Sequence, residues 1–167
     1  MRKVPNSTLV GRLEGKFGRG ILKTEEISGM LNVVADPQYN LEILQFLYED
    51  PALKFQFLTD LCGIHYPDQS LPLGVIYHLH SFEFNHRIRL KFFLPLENPH
   101  IRSATPLYAG ANWMERETYD FFGILFDGHP NLKRILNVDE MEAFPMRKEF
   151  PLEDPNRLDK QDKYFGR

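Results

Sequence analysis

Three carboxylates within six residues, Glu115, Glu117 and Asp120, are the groups whose type and spacing come nearest to chemistry in this chain. On a helix Glu117 and Asp120 fall on one face, and such a pair is what proton transfer or a bound metal would use. Arg116 stands four residues before Asp120, however. An i,i+4 ion pair of this kind usually decorates a helix turned to solvent or to a partner, and that is the preferred reading. Trp113 lies one turn earlier. A ring among mixed charges fits the centre of a protein interface, and a lone Trp fits a core as well. The histidines offer a second arrangement. His78 and His80 share one face of a strand, with His65 and His86 near in sequence, so a metal can be imagined there. No HExxH, paired cysteine or flanking carboxylate completes it. His129, between Gly128 and Pro130, reads as a turn anchor first and as a residue at a joint with another subunit second. Lys133 with Arg134, and Arg147 with Lys148, bracket Asp139, Glu140 and Glu142. If these basic pairs cross an interface they set register and partner choice more than affinity.

The elements that must position these groups follow from periodicity. From Trp113 the chain reads as a helix with Met114, Thr118, Phe121 and Phe122 on an apolar arc and Arg116, Glu117 and Asp120 opposite. Gly123 ends it. Ile124–Phe126 is a short strand, and residues 127–131 form a turn. Upstream, Met30–Val34 reads as a strand, and Asp36-Pro37 opens a helix that Asp50-Pro51 closes. Phe55–Tyr66 is a further strand. Val75–Phe82 and Arg87–Leu94 form a hairpin, with Ile88, Leu90, Phe92 and Leu94 on one face and Arg87, Arg89 and Lys91 on the other. Glu97–Leu107 is a connector. These elements predict an α+β domain of two layers, helices on one face of a mostly antiparallel or mixed sheet, with an extended C-terminal tail. The divisions expected are a loosely held arm over 1–26, the core domain over 27–136, and a strap over 137–167. That last segment is proline-punctuated and aromatic without period, so it is expected to lie along another surface.

Composition narrows the classes. The chain has 167 residues, 43% hydrophobic and 26% charged, with a formal net charge of -3. That balance lacks the concentrated positive field that nucleic acid demands. The single cysteine, Cys62, cannot form an internal disulfide or supply the thiolates of an iron-sulfur cluster, and it reads as a small buried hydrophobe. No run of about 18 apolar residues suggests a membrane span. Phosphate-binding loops, dinucleotide fingerprints and nucleophile elbows are missing from the sequence.

The run Glu115-Arg116-Glu117-Thr118-Tyr119-Asp120-Phe121-Phe122-Gly123-Ile124, then Phe126, Gly128-His129-Pro130-Asn131-Leu132 and Arg134-Ile135-Leu136, closely resembles the signature of the C subunit of bacterial NADH:quinone oxidoreductase, respiratory complex I. The same family includes the thirty-kilodalton subunit of the mitochondrial enzyme and the J subunit of the plastid and cyanobacterial one. Pro145-Met146-Arg147-Lys148-Glu149-Phe150-Pro151 looks like its second motif, with Met146 and Glu149 where Leu and Asp are usual. The resemblance implies a cofactor-free structural subunit of the peripheral arm. FMN and iron-sulfur clusters would sit in other subunits of the assembly. Its partners would be the large quinone-site subunit and neighbouring iron-sulfur subunits. It would meet the cell inner membrane only through the complex, on the cytoplasmic side. Trp113, Glu115, Arg116, Glu117, Asp120, His129, Arg134, Arg147 and Lys148 are the candidate interface residues, with no catalytic, cofactor or metal residue expected. The alternatives are a subunit of a related membrane-bound hydrogenase or ferredoxin-type dehydrogenase, and a stand-alone metal enzyme using Glu117, Asp120 and a histidine.

Overall fold

The computed structural model describes residues 4–150. A five-stranded mixed sheet in the order β1-β2-β5-β4-β3 carries the domain. Its strands are β1 (Ile21–Ile27), β2 (Met30–Ala35), β3 (Phe57–His65), β4 (Leu73–Ser81) and β5 (His86–Leu94). β2 and β5 run parallel and the other pairs antiparallel, so the chain leaves β2, crosses to the far edge at β3, and meanders back through β4 to β5. Helix α2 (Asn40–Glu49) makes that crossing. Asp36 accepts a bond from the Gln38 amide and Pro37 follows it, which starts a single 3-10 turn ahead of α2. The hairpin alternation holds residue by residue. Ile88, Leu90 and Phe92 are fully buried, and each contributes about 1.5–3 kcal/mol of burial. The residues between them face the opposite side and are partly exposed.

Two expectations are corrected here. The arm expected over residues 1–26 is not loose: Asn6–Phe17 form helix α1, and Ile21–Ile27 form β1. Leu9 and Leu13 are fully buried in the one core, Phe17 packs edge-on against Phe46 of α2, and Arg12 bridges to Asp50 at 2.6 Å. The spacing Leu9, Leu13, Phe17 is helical. Gly11 and Gly15, each costing a helix about 1 kcal/mol relative to alanine, disguise it. Both lie on the exposed side. The connector before the third helix also holds a strand, β6 (His100–Arg102). It pairs in parallel with β7 (Leu125–Asp127) as a separate two-stranded sheet.

The third helix, α3 (Ala111–Phe122), packs on the edge strand β3. Gly63 permits this contact, since a Cβ there would meet the Phe122 ring at 2.4 Å. Gly123 follows at φ 70° as the left-handed cap, its amide bonded to Tyr119 O.

Candidate functional site

Helix α3 is fixed at both ends by carboxylates that point inward. Near its start Glu115 is fully buried, with Oε1 accepting the Ala104 amide at 2.6 Å and Oε2 the Ser103 hydroxyl at 2.6 Å. Burial pushes its carboxyl up to about 7, against the opposing pull of those two donors. Tyr108, whose hydroxyl donates to Phe55 O at 2.7 Å, secures the same connector to the core.

The C-terminal half of α3 is organised by Asp120. Its Oδ1 accepts from Arg134 Nη1 at 2.7 Å and Asn137 Nδ2 at 3.0 Å. Its Oδ2 accepts three consecutive main-chain amides, those of Ile135, Leu136 and Asn137, at 3.1, 2.8 and 2.9 Å. Burial alone would raise this carboxyl, but the Asn137 and Leu136 amides, the Asn137 side chain and Arg134 outweigh it and hold Asp120 well below the ordinary carboxylate range. Arg134 continues the clasp, donating to Asp120 O, Met141 O and Ala143 O. The expected Arg116–Asp120 pair is therefore corrected. Asp120 faces inward to Arg134. Arg116 instead donates to the carbonyls of Lys133 and Arg134, its guanidinium 5.1 Å from the Trp113 ring centre.

The segment after β7 is held to this same helix. Residues 137–150, expected to lie along another surface, rest against α3 of their own chain; residues 151–167 of the expected strap lie outside the described residues. The Met146 amide bonds Phe121 O, Arg147 Nε bonds Phe122 O at 2.7 Å, and the Lys148 amide reaches His65 Nδ1 at 2.9 Å. Both Arg134 and Arg147 lie over the Phe144 ring, at 5.1 and 4.7 Å. His129 holds the turn: its Nδ1 accepts the Asn131 amide at 3.0 Å, which leaves Nε2 to donate to Asn112 O at 3.1 Å.

The nine singled-out residues thus divide. Glu115, Asp120 and Arg134 tie the chain to itself in the interior. Arg116, His129 and Arg147 bond to carbonyls or turn amides at the surface of the same unit. Trp113, Glu117 and Lys148 are exposed. Around them Trp113 at 64%, Leu136 at 64% and Val138 at 63% exposure, with Met146 and Phe150, present apolar side chains to the outside. Sequence reasoning missed Ser103, Asn137, Phe144 and Gly63, because no local pattern marks partners as distant as Glu115, Asp120, Gly123 and Phe122 are from them along the chain.

The imagined histidine site is not assembled. His65 and His80 lie at opposite ends of the β3–β4 pair. His78 Nε2 is occupied by Arg89 Nε at 2.7 Å, and burial followed by the Arg89 charge lowers its pKa. No group of three or more metal-ligating side chains occurs among the described residues. Cys62 is half-buried on β3, its thiol pushed up to about 11 by burial and then by the Asp60 charge, so it is a poor nucleophile.

The two buried carboxylates of α3 are thus bonded by the chain's own donors, and aromatic and aliphatic side chains stand on the outside of the two-layer domain. This architecture has counterparts among known proteins. A family model described as the respiratory-chain NADH dehydrogenase, 30 Kd subunit, matches residues 33–156. The NADH-quinone oxidoreductase C subunit of Roseiflexus castenholzii is 42% identical over 147 residues, which span 88% of this chain and 84% of that one. Its counterpart from Streptomyces coelicolor is 43% identical over 133 residues, spanning 79% of this chain and 53% of a longer relative. Among solved structures, a trypsin-resistant fragment of Nqo5 superposes with a TM-score of 0.62 at 33% identity, covering 74% of this chain and 98% of the fragment. A chain of the membrane-bound sulfane sulfur reductase, an archaeal respiratory membrane complex, shares the fold with a TM-score of 0.73 at 20% identity, covering 95% of this chain and 98% of that one. The chain belongs to the family of the 30 Kd subunit of respiratory-chain NADH dehydrogenase.

Proposed function

We propose that this chain serves as the C subunit of an NADH:quinone oxidoreductase, a cofactor-free scaffold in the peripheral arm of the complex. In this reading FMN and the iron-sulfur clusters belong to neighbouring subunits. The chain adjoins the large quinone-site subunit and the iron-sulfur subunits, and it meets the inner membrane on the cytoplasmic side through the assembly. The observation that carries it is the family match across residues 33–156, which spans the whole clasp of α3 and the segment after it. The geometry supports it: the clasp makes a rigid platform from which Trp113, Leu136 and Val138 protrude. The single cysteine agrees, since a four-thiolate cluster cannot be built from one thiol. No helix among the described residues is long and apolar enough to cross a membrane, so attachment through partners is the route to the membrane that this reading assigns.

The test is co-purification of the tagged full-length chain from detergent-solubilised membranes. NADH-quinone oxidoreductase subunits should accompany it. Trp113→Ala should reduce their recovery while changing the unfolding free energy of the isolated chain by less than about 0.5 kcal/mol, as for an exposed residue. Recovery of the chain alone, or stoichiometric zinc or iron in the isolated protein, would count against the proposal.

A further inference from the structure

The two edges of the sheet are built differently. β1 guards its edge with Lys23, Glu25 and Glu26, and Lys23 pairs with Glu25 at 2.7 Å. Charge on an edge strand deters further pairing. β3, the opposite edge, has nine residues of which Asp60 is the one acid, with no lysine or arginine. It begins at the half-exposed Phe57, whose ring lies 5.0 Å from the exposed Phe82. In an antiparallel pair alternate residues turn their N–H and C=O groups away from the partner strand. None of the turn, loop or tail main-chain bonds among the described residues reaches residues 58–64. Among the described residues the outward main-chain donors and acceptors of β3 therefore have no main-chain partner.

Beside that edge lies a groove of about 340 Å³ between β3 and α3. Gly63, Phe121, Phe122 and Met146 give it an apolar lining, and Asp60 and Glu117 are its charged members. The Asp60 side chain is 52% exposed, with His78 at 3.5 Å and the Cys62 thiol beside it but no lysine or arginine ion pair among the described residues, and Glu117 likewise forms no ion pair among them. A strand laid on this edge would have apolar side chains to bury and two carboxylates to neutralise. A second copy of this chain would bring the same carboxylates, which sets like charges together.

We propose that the outer edge of β3 receives an extended segment of a neighbouring subunit as an added strand. Its alternate apolar side chains fill the groove against Phe121, Phe122 and Met146, and a lysine or arginine meets Asp60 and Glu117. The proposal rests on the subunit reading above and adds to it where on this chain one partner binds and by what chemistry. Main-chain bonds supply much of the affinity, and the groove and carboxylates supply the choice of partner.

The experiment uses the assembled complex carrying photoreactive p-benzoylphenylalanine in place of Thr59, an exposed residue beside Asp60, with the same replacement of Lys23 on β1 as control. The Thr59 position should cross-link to a peptide of a co-purifying subunit with alternating apolar residues and a basic residue, and the Lys23 position should not reach that peptide. In the unsubstituted complex the outward amides of residues 60–64 should exchange at least about tenfold more slowly than in the isolated chain. Asp60→Lys combined with Glu117→Lys should lower the cross-link yield about tenfold. Cross-linking to residues 151–167 of the same chain, cross-linking to a second copy, or unchanged exchange in a complex that otherwise assembles would each overturn the proposal. Failure of the chain to co-purify with the complex would instead sink the subunit reading, and this proposal with it.

Discussion

Asp120→Asn removes one acceptor from the point where five hydrogen bonds converge. If the new amide nitrogen takes the place of Oδ2, it faces the amides of Ile135, Leu136 and Asn137. If it takes the place of Oδ1, it faces Arg134 and the Asn137 side chain. Either way a donor points at donors. The second orientation is the milder. It loses two bonds and leaves the Arg134 guanidinium, 8% exposed, without its counter-charge but still bonded to the carbonyls of Asp120, Met141 and Ala143. Breaking a buried pair from one side costs about 3–5 kcal/mol. The clasp joins the first part of the segment after residue 133 to the domain, with the Met146, Arg147 and Lys148 bonds holding the later part, so the cost falls on attachment at residues 134–137 more than on the sheet. At the lower figure of about 3 kcal/mol, the amides of residues 135–137 should exchange roughly a hundredfold faster, since 1.4 kcal/mol is a factor of ten. Amides of β4 and β5 should keep their protection. Amide exchange followed by mass spectrometry reads both regions in one experiment. Exchange at residues 135–137 within about threefold of the parent would refute the idea that Asp120 carries the clasp.

Three further expectations concern the domain itself. Folding lifts Glu115 from 4.5 to about 7, so the folded chain keeps a proton in that window that the unfolded chain releases. This group's contribution to stability is complete below the lower value and disappears as pH rises through the upper one, a fall of about 3 kcal/mol; Glu115→Gln should flatten that slope in urea titrations at pH 5 to 8, and an unchanged slope would exonerate the group. Gly123→Ala should cost about 1–2 kcal/mol for its left-handed backbone alone, and its Cβ would meet Phe144 at 2.5 Å; a thermal midpoint equal to the parent's would contradict this. Leu13→Ala should cost about 2–5 kcal/mol if α1 belongs to the core, whereas a loose arm would leave the urea midpoint where it was.

Legibility in the sequence followed the range of the physics involved. The β5 alternation, the Asp36-Pro37 start and the Gly123 stop are local rules, and the elements they predict occur, the helix after Asp36-Pro37 opening with a 3-10 turn before α2 begins at Asn40. The family signature around α3 was likewise readable, because it is a long contiguous run. Helix α1 is hidden because two glycines weaken a pattern of three apolar residues whose burial depends on a core assembled from distant parts of the chain. Asp120 was misplaced for a related reason. Four residues from Arg116 it has the spacing of a surface pair, and only the return of residues 134–137 decides that it faces inward. Glu115 differs little in sequence from Glu117, yet one is sealed under Ser103 and Ala104 and the other stands in water; the connector that separates their fates leaves no periodic trace.

The grip of Asp120 on residues 135–137 acts through their three main-chain amides, joined at Asn137 by the side-chain amide. Exchanging the side chains of Ile135 and Leu136 therefore leaves the bonds their amides make intact, while proline, which lacks the N–H, is excluded at all three positions. The outward face of this segment, Leu136 and Val138 included, is thus free to vary in side chain without loosening the anchor, because position and identity are fixed by separate parts of the same residues.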